Sequence, residues 1–171
     1  MTKNDKLAAA AHYVIARVRP SDLGATKLQK ILWFADCAYF ARHGRSITGE
    51  VVYRRKPNGP CIARLDAVLR SMEQEGCIIE RQVPTYIGHP RREFQSLVEP
   101  DMAPFTGAEI DILMQVGLEI VGMTAQEVSD LSHDSLWRET AANRDIAIAA
   151  GAVRDVGLED TDREWVQQAF Q

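Results

Sequence analysis

Apolar residues recur at Leu7, Ala11, Val14, Ile15 and Val18, the spacing of one stripe along an α-helix. Pro20 should stop that helix, because proline lacks an amide hydrogen and its ring crowds the preceding turn. His12 falls beside the stripe and is expected on the surface. The pattern returns at Leu28, Ile31, Leu32, Ala35 and Tyr39, with Trp33, Phe34 and Phe40 partly outside it. A helix with aromatics off its stripe is either enclosed by several neighbours or offers a docking face. Thr26 and Gln29 have the spacing of a capping box and are expected to open this second helix. Gly44 should close it in a left-handed cap.

The helical period lapses over residues 45–57. Ile47, Val51, Val52 and Tyr53 predict extended chain, with a turn at Thr48 and Gly49. Arg54, Arg55, Lys56, Pro57, Asn58 and Gly59 read as a basic, turn-rich loop, and the GxxxxGK[ST] phosphate-loop pattern is absent from it. Pro60 is expected at the first position of a third helix, striped by Ile62, Leu65, Val68, Leu69 and Met72 and closed by Gly76. Two short strands are predicted at residues 77–83 and 93–98.

The last third is helical. Thr106 with Glu109, and Thr124 with Glu127, are two further capping boxes. Ile110, Leu113, Val116 and Ile120 line the first of these helices, which Gly122 ends; Val128 and Leu131 line the second. Residues 146–153 fit strand or irregular chain better than helix. Residues 160–170 form a last amphipathic stretch carrying Trp165, Val166 and Phe170. The fold class this implies is mainly α with a small antiparallel β-hairpin (α+β), in one compact helical domain.

Composition narrows the class. An apolar fraction of 46% and a charged fraction of 26% over 171 residues are those of a globular chain, not a disordered one. The longest apolar runs, residues 7–11 and 31–35, fall far short of the ~18 residues a membrane span needs. The first run is followed by Arg17 and Arg19, unlike a secretory signal. A cytoplasmic location is expected. The three cysteines, Cys37, Cys61 and Cys77, form no CxxC pair and have no histidine at zinc-finger spacing, so no metal site is predicted.

Charge is divided along the chain. Residues 1–98 hold 16 Lys/Arg against 9 Asp/Glu, whereas residues 99–171 hold 4 against 15, which together give the net −4. Either the halves attract and pack, or each presents a face to a partner of opposite sign.

Candidate chemistry is sparse. Ser132, His133, Asp134 and Ser135 offer a triad's residue types, but neighbours in a chain cannot face one another as triad members must. GxSxG, HExxH and GxGxxG are all missing. No catalytic residue and no cofactor is predicted; the residues point to a protein that binds another macromolecule. One version of that is a winged-helix-like DNA-binding regulator, in which the third helix precedes a hairpin and Arg91 and Arg92 touch phosphates. Glu73, Glu75 and the acidic second half oppose it, so nucleic acid is not the expected partner.

Four segments taken in order say more. TKLQKILWFA at residues 26–35, RSITGE at 45–50, NGP at 58–60 and LSH at 131–133 with Trp137 together resemble the Panacea domain of SocA-like antitoxins and some phage-associated proteins. The resemblance spans about residues 5–145, leaving 146–171 as a C-terminal extension packed on the same domain. Trp33 stands where the family more often has tyrosine. The resemblance implies an antitoxin that neutralises a cognate toxin by direct contact, without catalysis. It also implies a second role, as an adaptor delivering the toxin to a AAA+ protease.

The family-like positions Leu28, Gln29, Lys30, Gly49, Glu50, Gly59, Pro60, Ser132, His133 and Trp137 are expected to be structural. Leu28, Leu32, Ala35 and Leu131 have core spacing, while Gly49, Gly59 and Pro60 shape the backbone. His133 and Trp137 are placed to share a helical face. The toxin-binding surface is expected on the second helix and the loop after it, at Trp33, Tyr53, Arg54, Arg55 and Lys56. Residues 42–70 carry seven Lys/Arg against Glu50 and Asp66, and arginine and tyrosine are favoured interface anchors.

Overall fold

The computed structural model describes residues 5–85, 88 and 90–153. Helix α1 (Lys6–Arg17) is capped by Asp5, whose carboxylate accepts from the Leu7 amide, satisfying one of the amides a helix start leaves without a partner. Its predicted stripe is buried as far as Ile15, and so is His12. His12 Nε2 lies 2.8 Å from Ser96 Oγ. The expectation of a surface histidine fails because strand β4 (Arg91–Ser96) packs across that flank and supplies a hydroxyl. A polar side chain beside a stripe can be buried wherever a partner is provided.

Helix α2 (Ala25–His43) runs through the middle of the domain. It is enclosed by α1, α4 (Gly107–Val121), α5 (Ala125–Leu131), α7 (Ile148–Val153) and strand β2 (Gly59–Cys61). Helix α7 packs on the flank that carries Trp33 and Cys37, which explains the burial of off-stripe Trp33 and resolves the alternatives for that residue in favour of enclosure. Gly24, not Thr26, is its N-cap, and no side chain caps it. Gln29 is drawn away from the expected box by a stronger claim on its amide, the Ile62 backbone. Gly44 closes the helix at φ +67°, in the left-handed region glycine adopts without steric cost.

The chain forms two small antiparallel sheets among the described residues. Strand β1 (Val52–Lys56) pairs with β2 on one side and with β5 (Asp145–Ala147) on the other. Arg54, Arg55 and Lys56 are therefore strand, not loop. Pro60 lies in β2 opposite Arg55 and does not open a helix; helix α3 (Leu65–Gln74) starts further on. Proline fits there because β2 is an edge strand, which can spare an amide hydrogen. The second sheet is the predicted hairpin, β3 (Ile78–Val83) with β4.

Both capping boxes of the last third are formed, Thr106 with Glu109 and Thr124 with Glu127. Val128 is fully buried, whereas Leu131, expected in the core, is 52% exposed. It ends α5, where the chain turns away at Ser132. A short helix α6 (Ser135–Glu139) follows. The strand reading of residues 146–153 holds only at its start, because the chain continues as α7. Gly151 lets α7 approach α2: a Cβ there would lie 2.6 Å from the Trp33 ring and 2.8 Å from Cys37 Sγ. The fold is α+β, with seven helices among the described residues. The amphipathic stretch at 160–170 lies outside them. No described helix is long and apolar enough to cross a membrane.

Candidate functional site

The β1–β2 hairpin is held from within by polar groups that the sequence scatters over a hundred positions. Tyr53 is 1% exposed. Its ring meets Trp33 edge-on at 4.9 Å between centroids, and its hydroxyl donates to Asp36 at 2.9 Å. Asp36 also accepts from the Ile47 and Thr48 amides and from the Thr48 hydroxyl. Burial raises this carboxyl to about 6 even though these hydrogen bonds favour its charged form. Trp33 and Tyr53, expected on the toxin-binding surface, are thus core residues. Alternation along β1 turns Tyr53 inward, and the central position of α2 encloses Trp33.

Around the hairpin turn, Lys30 Nζ donates to the Pro60 carbonyl at 2.7 Å. Gln29 brackets Ile62, accepting from its amide at 2.8 Å and donating to its carbonyl. Ser129 Oγ donates to the Asn58 carbonyl at 3.0 Å, and Ser132 Oγ donates to Ser129. Gly59 has φ +97°, and a Cβ on it would lie 2.1 Å from Ser132 Oγ and 2.6 Å from Lys30 Nζ. Only glycine fits. Gly49, at φ +81°, shapes the turn before β1, and Glu50 accepts from Arg64 at 2.7 Å.

The outer side of the hairpin is braced by α6. Trp137 Nε1 donates to the Lys56 carbonyl at 3.0 Å, and the Trp137 amide donates to Asp134. His133 stacks on Trp137 at 3.8 Å. The Arg55 guanidinium sits 4.0 Å from the centre of the Trp137 ring, and its Nε donates to the Trp137 carbonyl at 2.9 Å. Arg54 pairs with Asp145 at 3.1 Å, and Lys56 donates to Asn143 at 2.8 Å. Arg54 and Lys56 alternate to the face of β1 opposite Tyr53, whereas Arg55, two residues from Tyr53, is held against Trp137.

Asp36, Ser129, Asn143 and Asp145 escaped the sequence reading. Asp36 alone left a signal there, a carboxylate between Ala35 and Cys37 in an otherwise apolar helical stretch, which marks a buried and partnered acid. Arg91 and Arg92 of the other hairpin are already engaged. Arg92 bonds Glu80 through two nitrogens at 2.8 Å and Asp66 at 2.7 Å, and Arg91 pairs with Glu93. Among the described residues no three His, Cys, Asp or Glu side chains are grouped to hold a metal ion.

Interior polar groups of the helical domain thus converge on one basic hairpin. The family model "Antitoxin SocA-like, Panacea domain" matches residues 28–138, well over half of the chain, and the protein belongs to that family. No curated protein and no solved structure matches it.

Proposed function

We propose that the protein is an antitoxin that neutralises a cognate toxin by direct protein–protein contact, through the outer face of the β1–β2 hairpin. The observation that carries this is the pair Arg54 and Lys56 on one face of a strand whose turn, inner face and flank are each fixed by buried or stacked side chains, Arg55 among them. A rigid basic surface loses little freedom on binding, and it favours a partner with an acidic patch. Family membership supports the antitoxin role. The proteolytic-adaptor role, with a AAA+ protease as second partner, extends the same reading, and a cytoplasmic site of action goes with it. The DNA-binding alternative gains nothing from Arg91 and Arg92 of the β3–β4 hairpin, both of which are paired with carboxylates.

Co-purification with the product of the adjacent gene, followed by a growth test with and without this protein, tests the pairing. The surface is tested by Arg54→Glu combined with Lys56→Glu, with Arg55 left in place because its guanidinium braces α6. Toxin affinity should fall by more than about tenfold, ~1.4 kcal/mol, with thermal stability nearly unchanged. Unaltered affinity would remove the hairpin as the interface and turn attention to the acidic C-terminal half. Toxin half-life in cells with and without the protease tests the adaptor role.

A further inference from the structure

Helix α4 carries two large apolar side chains on its solvent side, Met114 at 50% and Leu118 at 72% exposure. Asp111 precedes them at the spacing that sets all three on one face of the helix. Single surface leucines need no explanation, but these two residues border a groove of about 450 Å³ between α1 and α4, with Tyr13 and Val14 on its other wall. Gly117 lines the groove between them. A Cβ added to Gly117 would find no atom of another element within 4 Å, so the groove has room there for an inserted side chain.

The two helices run in the same direction. Lys6 at the start of α1 pairs with Glu109 in the first turn of α4, and Arg17 and Val18 share the groove with Leu118 and Val121 at the other end. Charge is therefore unequal along the groove. Its far end has Arg17 and Arg19 against Asp22. Both arginines are exposed, and Arg17 approaches Glu99 only at 3.6 Å, between largely solvated side chains. Helix α4 itself holds no Lys or Arg, and Asp111 stands on its outer face towards the N-terminal end.

We propose that this face is a self-association surface, on which a second copy of the chain lays its own α4 antiparallel across the groove, about a two-fold axis. Met114 and Leu118 of each copy then meet Leu118 and Met114 of the other over Gly117. Asp111 of each copy lies against Arg17 and Arg19 of the other. A parallel arrangement would set Asp111 beside Asp111 and arginines beside arginines, so charge selects the antiparallel one. The helix dipoles favour it as well. Helix α4 is about 22 Å long, and a strip two helices wide offers roughly 400 Å² per copy, about half of a standard interface. The dimer is therefore weak and reversible. It uses no residue of β1, β2 or α6 and stands apart from the role of the hairpin.

Sedimentation velocity on the full chain alone, from about 5 to about 500 µM, tests this. The parent should pass from monomer to dimer. Leu118→Asp should stay monomeric throughout, with an unchanged far-UV melt at the lowest concentration, because residue 118 is mostly solvated. Asp111→Arg should weaken the dimer severalfold, and adding Arg17→Asp and Arg19→Asp to it should restore much of the loss. A parent that is monomeric at every concentration overturns the proposal. So does a Leu118→Asp variant that dimerises as the parent does, or a charge exchange that restores nothing. A monomeric parent whose melting temperature falls with Leu118→Asp would mean that its own chain covers the groove. One that instead loses a co-purifying toxin with Leu118→Asp would give the groove to the toxin, and either result also overturns the proposal.

Discussion

Lys30 Nζ donates a 2.7 Å hydrogen bond to the Pro60 carbonyl oxygen from a position 1% exposed to solvent. No carboxylate among the described residues lies within ion-pair distance of it. Burial therefore pulls its pKa from 10.5 down to about 7. In the unfolded chain the amine holds its proton up to its ordinary pKa. Between pH 7 and 10.5 the unfolded state thus binds more protons than the folded one. The stability contributed by this group is complete above 10.5 and is lost as pH falls through 7. Urea unfolding should give a free energy that rises from pH 7 towards about pH 9, with the slope reduced in Lys30→Met.

Asp36 has the opposite dependence. Its carboxyl is raised from 3.8 to about 6, so the folded state binds the extra proton. This contribution is complete below 3.8 and is lost as pH rises through 6. The two buried groups together place a stability minimum between about pH 6 and pH 7. Asp36→Ala should cost about 3 kcal/mol or more, because it leaves two amides and two hydroxyls without their acceptor. Asp36→Asn should cost less than half as much. Its oxygen can keep the Ile47 and Thr48 amides while its nitrogen donates to the two hydroxyls, which can rotate. Thermal melts of the two variants at pH 7 compare them directly.

Most of the helices could be read from the chain because their signals are local. The stripe of α1, the boxes at Thr106 and Thr124 and the left-handed glycine at 44 each act within a few residues. The hairpin site was hidden because its determinants are not local. β1 gains its order from pairing with β5, some ninety residues away, and a run of Arg-Arg-Lys-Pro-Asn-Gly carries no periodicity to announce a strand. The same distance concealed His12, whose partner Ser96 lies in β4, and turned Gln29 from its box to Ile62. Trp33 and Tyr53 looked like interface anchors by residue type, but an aromatic's type does not reveal which side of a strand or helix is enclosed.

Gly59 should tolerate no side chain. At φ +97° a Cβ would meet Ser132 Oγ at 2.1 Å and Lys30 Nζ at 2.6 Å. Backbone strain of about 1–3 kcal/mol then adds to displacement of two buried polar groups. Gly59→Ala should lower stability by more than ~2 kcal/mol. Adding Ser132→Ala should recover only part of that loss, since the φ strain and Lys30 remain. A denaturation series on the two single variants and the double variant measures the recovery, and complete rescue would show that the clash with Ser132 alone excludes a side chain.

Arg54 and Arg55 are neighbours in one strand, yet replacing them should have unequal consequences. Arg54 makes an ion pair with Asp145 in which both side chains are largely solvated, a type of contact worth about 0–1 kcal/mol. Arg55 lies 4.0 Å from the centre of the Trp137 ring and bonds the Trp137 carbonyl, which joins a cation–π contact of about 0.5–2 kcal/mol to a charged hydrogen bond. Arg55→Ala should therefore destabilise by about 1–2 kcal/mol, and Arg54→Ala by less than about 0.5 kcal/mol. Arg55→Lys should recover little, because an ammonium lacks the flat face and fork that reach ring and carbonyl together. A double-mutant cycle with Trp137→Phe separates the two parts of the contact, since phenylalanine keeps an aromatic face and the backbone carbonyl but loses the indole bond to Lys56. The cost of Arg55→Ala should persist in part in the Phe variant and fall in Trp137→Ala to the share of the hydrogen bond to the backbone carbonyl, which any residue at 137 retains. Equal losses for Arg54→Ala and Arg55→Ala would mean that α6 does not brace the hairpin.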